Sequence, residues 1–172
     1  MADTQVTAPP GVPQTIVTAS FAAPRDLVFR AHTEPELLVQ WLGPRRYTMT
    51  IERQEVRDGG RWRFLHRDAG GNEFGFHGVF HGEQTPDLSV RTFEFEGAPG
   101  HISLETLTLE ERGGRTYLRE SSAYQTLEDR DAMVRSGMEQ GVKEGMERLE
   151  ELLARLQANE SGRAGGGAER AA

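Results

Sequence analysis

The chain has 172 residues, with 20 Lys+Arg against 27 Asp+Glu, a formal charge of −7, 20 glycines and no cysteine. That length suits one domain, the missing cysteines exclude disulfides, thiolate catalysis and cysteine–zinc sites, and the acidic balance argues against nucleic-acid binding. No apolar run reaches the ~18 residues of a membrane span and no charged-then-apolar leader opens the chain, so a cytoplasmic protein is expected.

Residues 1–13 are rich in proline and small polar residues, and a disordered N-terminal tail is expected there. Residues 15–21, TIVTASF, alternate and are β-branched, which predicts a first strand. Pro24 suits a first helical position, and Leu27, Val28 and Ala31 give a short apolar face. Thr33 and Glu36 form a capping-box pattern, which predicts a second short helix carrying Leu37, Leu38 and Trp41 up to Gly43-Pro44.

Six more strands follow at 47–56, 61–67, 73–82, 88–95, 102–111 and 115–125. Turn signals separate them at Asp58-Gly59-Gly60, Gly70-Gly71, Pro86-Asp87, Gly97–Gly100 and Gly113-Gly114,. Such short connections predict an antiparallel meander. Thr126 with Asp129 opens a helix expected to run unbroken to about Gln157, roughly 45 Å at ~1.5 Å per residue. Gly137, Met138, Gly141, Val142, Gly145, Met146, Leu149 and Leu153 share its apolar side, and Glu139, Lys143, Glu147 and Glu150 lie opposite. Residues 158–172 end in a Gly-rich stretch and are expected to form a second disordered tail, which leaves 14–157 as the domain. One strand, two helices, six strands and a long helix is an α+β order.

The chain resembles the START-like (SRPBCC) superfamily, and within it the domain related to the activator of heat shock protein 90 ATPase. Trp41-Leu42-Gly43-Pro44, the 55–60 stretch EVRDGG, Gly78, Pro86 and the 141–153 segment GVKEGMERLEELL carry the resemblance. It implies a helix-grip fold, a curved antiparallel sheet wrapped around a long C-terminal helix. It also implies a cavity between the two. The family often has tryptophan where this chain has Leu42, and a Gly-Trp pair where it has Gly145-Met146. A methionine makes that wall more deformable.

On this reading Trp41, Trp62, Phe64, His66, Phe76, Phe80, Met138, Val142 and Met146 line a site for a small hydrophobic or amphipathic molecule. His66 either presents a polar group inside or ends its strand in solvent. A one-residue register slip would turn the Phe74/Phe76/Phe80 face outward. Gly137, Gly141 and Gly145, four apart, either make room for a ligand or let the helix approach the sheet closely. His77 and His81 sit about 13 Å apart on a strand, too far to share a metal ion. Glu120, Ser122 and Tyr124 share one strand face, expected to be the solvent face.

No phosphate loop, G-x-S-x-G or H-E-x-x-H pattern occurs, so neither a cofactor nor a catalytic set is assigned. A cyclase- or aromatase-type enzyme is the alternative, and it requires Glu120, Tyr124, His66 or Arg63 to point inward. A chaperone-associated interaction domain is the third reading. An edge strand or aromatic patch offers a route to a homodimer.

Overall fold

The computed structural model describes residues 3–166. Eight strands form one antiparallel sheet: β1 (Gln5–Thr7), β2 (Gln14–Phe21), β3 (Thr48–Gln54), β4 (Arg61–Arg67), β5 (Glu73–His81), β6 (Ser89–Phe95), β7 (Ile102–Arg112) and β8 (Arg115–Tyr124). The order across the sheet is β1-β2-β8-β7-β6-β5-β4-β3. Strands β3 to β8 are a plain meander. The chain reaches it from β2 by crossing the whole sheet through α1 (Arg25–Thr33) and α2 (Pro35–Leu38). After β8 come α3 (Leu127–Arg135) and the long α4 (Met138–Gly166). This is the α+β order that the residue pattern predicts, in the helix-grip arrangement that the resemblance implies.

Four local expectations are corrected. The N-terminal segment is not a disordered tail: Val6 pairs with Val17 as edge strand β1. The loop that follows is tied by the buried Arg130, whose Nη1 donates to the carbonyls of Pro9 at 2.8 Å and Val12 at 2.9 Å. That donor lies more than a hundred residues away, beyond any local pattern.

Thr33 does not cap the second helix. It ends α1, and its hydroxyl donates to Phe29 O at 2.9 Å. Helix α2 stops at Leu38, so Trp41 stands in the turn beyond it.

The predicted single C-terminal helix is two. Thr126 caps α3, accepting from Asp129 N at 3.1 Å. The helix then breaks because Gly137 adopts φ +85°, a left-handed conformation that favours glycine,.

Finally, α4 continues to Gly166, through the first part of the expected C-terminal tail. Extending an existing helix avoids a new nucleation cost. Residues 167–172 of that tail lie outside the described residues.

The core sits at one end of the sheet–helix sandwich. Met146, Leu149, Leu152 and Leu153 of α4 are buried with Leu27, Val28 and Ala31 of α1 and with Val17, Ala19, Phe21, Leu109 and Leu118 of the sheet. Burying each large side chain stabilises by about 1.5–3 kcal/mol. Toward its N-terminus α4 leaves this core. Met138 and Val142 are only half-buried, and the space beneath them opens into a cavity.

Candidate functional site

The alternation of β4 and β5 builds the first wall. Trp62, Phe64 and His66 face the concave side, and Arg63 faces the convex side. The register sets Phe64 opposite Phe76 and His66 opposite Phe74. Trp62 and Phe64 lie tilted at 4.6 Å between ring centroids, and Phe76 meets Phe93 of β6 at 5.5 Å. Trp41 closes the far side, its indole Nε1 donating to Ala31 O at 2.9 Å. The cavity between this wall and α4 holds about 370 Å³.

Every residue expected to line the site lines this cavity: Trp41, Trp62, Phe64, His66, Phe76, Phe80, Met138, Val142 and Met146, with Gly137, Gly141 and Gly145. A second cavity of about 780 Å³ adjoins it under α3 and shares Tyr47, His66, Phe76, Phe93 and Met133 with it. Phe74 and Phe95 belong to that second space.

The three glycines do different things. Gly137 makes the α3–α4 joint. Gly141 and Gly145 face the Trp41–Pro44 turn rather than the sheet. A Cβ at Gly145 would stand 3.6 Å from Trp41 O, and one at Gly141 would stand 3.8 Å from Pro44, both ordinary contacts. Close helix–sheet approach is therefore not what these two provide. Across the turn, Gly43 has φ +96°, and a Cβ there would lie 2.6 Å from the His66 ring. Glycine at 43 thus seats His66 in the wall. Arg148 of α4 holds the same turn, donating to Gly43 O at 2.8 Å and Gln40 O at 2.9 Å. Burial, helped by the Arg148 charge, pushes the His66 imidazole below its ordinary pKa.

The polar content of the cavity departs most from expectation. Glu120, Ser122 and Tyr124 are not on the solvent face; they line the cavity. Glu120 shares its strand face with Leu118, which is 2 % exposed in the core. That phase relation was the available signal. The register carries this face across the sheet: Phe80 opposite Arg91, Arg91 opposite Glu105, Glu105 opposite Ser122, and Ser122 opposite Thr15. Sequence reasoning missed Arg91 and Glu105, although each shares its strand face with an apolar residue, Phe93 and Leu107, that also lines the cavity,.

Arg91 Nε donates to Glu105 at 2.7 Å, and its guanidinium lies 4.5 Å over the Trp62 ring. This places a largely desolvated ion pair and a cation–π contact in one wall. Glu120 is enclosed beside them. Desolvation, then the nearby Glu105 charge, raises its pKa to about 7, against the opposing pull of Arg91. Tyr124 OH lies 3.1 Å from Thr15 Oγ1 and is also pushed up by burial.

On α1, His32 Nδ1 lies 2.7 Å from Val28 O. A carbonyl only accepts, so Nδ1 carries the proton and Nε2 is an acceptor. Burial lowers the His32 pKa to about 4.

Arg63 points away. It pairs with Glu52 and, at 2.7 Å, with Glu96 on the convex face. His77 joins that cluster at 3.0 Å from both Glu94 and Glu96. Among the described residues no group of His, Asp and Glu is arranged to hold a metal ion, and no helix is long and apolar enough to cross a membrane.

Comparisons place this arrangement among known folds. A protein from Rhodobacter sphaeroides matches with TM-score 0.81 at 28% identity, over 88% of this chain and 98% of that one. A protein from Arthrobacter aurescens gives TM-score 0.81 at 24% identity, over 88% and 91%. One from Mycobacterium smegmatis gives 0.80 at 20% identity, over 89% and 97%. No curated protein matches the sequence significantly. The family described as Activator of Hsp90 ATPase homolog 1-like protein matches residues 22–154. With that match spanning most of the described residues, the chain belongs to the Activator of Hsp90 ATPase homolog 1-like protein family.

Proposed function

We propose that this is a cytoplasmic binding protein that holds a small, mainly apolar molecule between its sheet and the N-terminal half of α4. The observation that carries this is the cavity of about 370 Å³, walled by aromatic rings on one side and by Met138, Val142 and Met146 on the other. Such a concave apolar site with a few polar groups is the usual form of a small-molecule pocket. The flexible methionines let one wall adjust to the guest.

Native mass spectrometry of protein purified from its own host tests this. A co-purifying small molecule, displaced in a Val142→Trp variant that fills the space, is the expected result. A protein that carries nothing and takes up no apolar probe would overturn the reading. Stimulation of an Hsp90 ATPase that survived the filling substitution would instead assign the function to a protein contact outside the cavity.

A second reading, catalysis within the same cavity, is favoured by one observation. Glu120 faces the cavity with a pKa raised to about 7, the range in which a carboxyl both gives and takes protons. Turnover of a bound ligand that falls at least ~100-fold in Glu120→Gln, with ligand binding retained, would support it. Unchanged turnover would end it.

A further inference from the structure

Helix α3 is held over open space by polar contacts. It lies across the second cavity, where Asp129, Met133 and Ser136 form part of the lining, and Met133 and Ser136 line the first cavity as well. A surface helix ordinarily buries an apolar stripe. In α3 the buried residue is Arg130, while Leu127 and Val134 stay 41 % and 39 % exposed. Two polar ties stand in for packing. Arg130 Nη1 donates to the carbonyls of Pro9 and Val12, and His101 Nδ1 lies 2.6 Å from Asp129 Oδ1. An element with so few buried apolar contacts belongs to the low-stability end of a fold.

The joint behind α3 is a single residue. Ser136 is helical and α4 begins at Met138, so the bend comes from the φ of +85° at Gly137. Beyond the adjoining residues nothing lies within 4 Å of where a Cβ at 137 would stand, so packing around Gly137 does not impose this conformation. Returning that one φ to the helical region would merge α3 and α4 into a straight helix and carry α3 off the cavity. Residues 126–157 hold one unbroken helical pattern capped by Thr126, so local sequence favours the straight form,. The ties to Pro9, Val12 and His101 favour the bent one. Two arrangements of one element, each with its own stabilising contacts, make a switch.

We propose that α3 is a lid hinged at Gly137, covering the cavity when bent and opening it when it straightens as an extension of α4. Arg130 and His101 latch the bent form, and the N-terminal segment supplies the catch through the carbonyls of Pro9 and Val12. The gating role rests on the cavity-binding reading; the hinge does not.

Because the chain has no cysteine, two spin labels can be placed in the full protein. Glu128→Cys on α3 and Ala154→Cys on α4 are both exposed, and a straight helix would set them about 39 Å apart at ~1.5 Å per residue,. Pulsed electron paramagnetic resonance with Gly137 in place should give a shorter main distance. Gly137→Ala should raise the ~39 Å population at least ~10-fold, because alanine disfavours positive φ and favours helix. Gly137→Asn, which tolerates positive φ, should stay bent. Identical distances in the alanine and asparagine variants would overturn the hinge.

The latch is tested by the rates at which prodan, an uncharged naphthalene dye, enters and leaves, followed by stopped-flow fluorescence. Arg130→Met keeps the stem and removes the donors, and both rates should rise at least ~5-fold. His101→Ala removes an exposed contact, and about 2-fold is expected. Unchanged rates in a variant whose straight population has grown would overturn the gating role and leave the hinge. A dye that binds none of the chains would overturn the cavity reading and the gating role with it, while the spin-label distances still decide the hinge. The Gly137 pair and His101→Ala settle the proposal even where Arg130→Met fails to fold.

Discussion

The two faces of the sheet treat the same side chain in opposite ways. On the convex face Glu96 lies against Arg63 at 2.7 Å, with His77 beside it, and its pKa falls to about 2. Inside the curve Glu120 sits near Arg91, but that guanidinium is already held by Glu105, and burial raises Glu120 to about 7. Glu120 stands on β8 and Glu96 just past the end of β6, each with an arginine close by. What separates them is water and the arginine's prior commitment. A cation already engaged by one carboxylate does little to offset desolvation of a second.

Four changes break or sharpen this contrast, taken here from the largest expected effect. The first compares Gly78 and Gly75, both on β5 but on opposite faces. A Cβ at Gly78 would lie 1.9 Å from Thr92 O, which is backbone, and 2.7 Å from the Trp62 indole nitrogen. A Cβ at Gly75 meets the carboxylate end of Glu96, which can swing into solvent. Gly78→Ala should cost about 3 kcal/mol or more, and Gly75→Ala roughly 1 kcal/mol, in urea unfolding. Equal costs would show that the concave face is no more rigid than the convex one.

The second change is Glu120→Gln. A carboxyl whose folded pKa lies above its unfolded value holds a proton that the unfolded chain releases. Stability from this group is therefore complete at low pH, is lost as pH rises from about 4.5 to 7, and stays lost above that,. The variant should be more stable than the unaltered chain by roughly 2–3 kcal/mol at about pH 8 and nearly equal to it near pH 4. His32 works the other way. Its folded pKa is lowered to about 4, so the unfolded chain takes up a proton first, and stability falls as pH drops from 6.5 to 4. In the unaltered chain the two trends largely cancel between about pH 4.5 and 6.5. Thermal melts of Glu120→Gln should then expose the acid-side loss alone. A variant that kept a flat profile would refute the account of both groups.

The third change tests the convex side. Glu96→Gln removes a partly exposed carboxylate whose lowered pKa adds stability above about pH 4.5, stability that is lost as pH falls toward 2. After allowance for screening by solvent the cost at neutral pH should be about 1 kcal/mol or less. It should shrink in molar salt, whereas the Glu120→Gln gain should not. The smallest effect is expected at Gly141→Ala on α4. The added methyl meets Pro44 at an ordinary 3.8 Å, and alanine favours helix, so stability should rise by ~0.5–1 kcal/mol,. Calorimetry showing a loss instead would mean that the helix needs closer approach to the turn than 3.8 Å.

Much of this site was legible from alternation. Trp62, Phe64 and His66, with Phe76 and Phe80, announced one wall, and the apolar side of α4 announced the other. Glu120 was misjudged because carboxylates are seldom enclosed, although its phase with the buried Leu118 was readable in TYLRESSAY. Arg91 and Glu105 share strand faces with Phe93 and Leu107, but neither strand by itself shows that the two meet. Their partnership exists only because β6 and β7 align them in register. His32 drew no notice in the sequence, and its burial follows from the packing of Trp41 edge-on against its ring.

By itself, then, the sequence determined the strands of the meander, the cap at Thr126 and the two sides of the last helix, but not β1 or the break between α3 and α4. These follow from periods of two and 3.6 residues and from local turn chemistry, which neighbours along the chain impose. The tertiary structure alone decided four further things. It fixed which face of the sheet curves inward and that Gly137 breaks the helix. It bound the N-terminal segment to Arg130, and it turned Glu120, beside an arginine held by Glu105, into a group that titrates near neutrality. Those outcomes depend on contacts between residues far apart in the chain, where desolvation and charge are set by what the fold brings together.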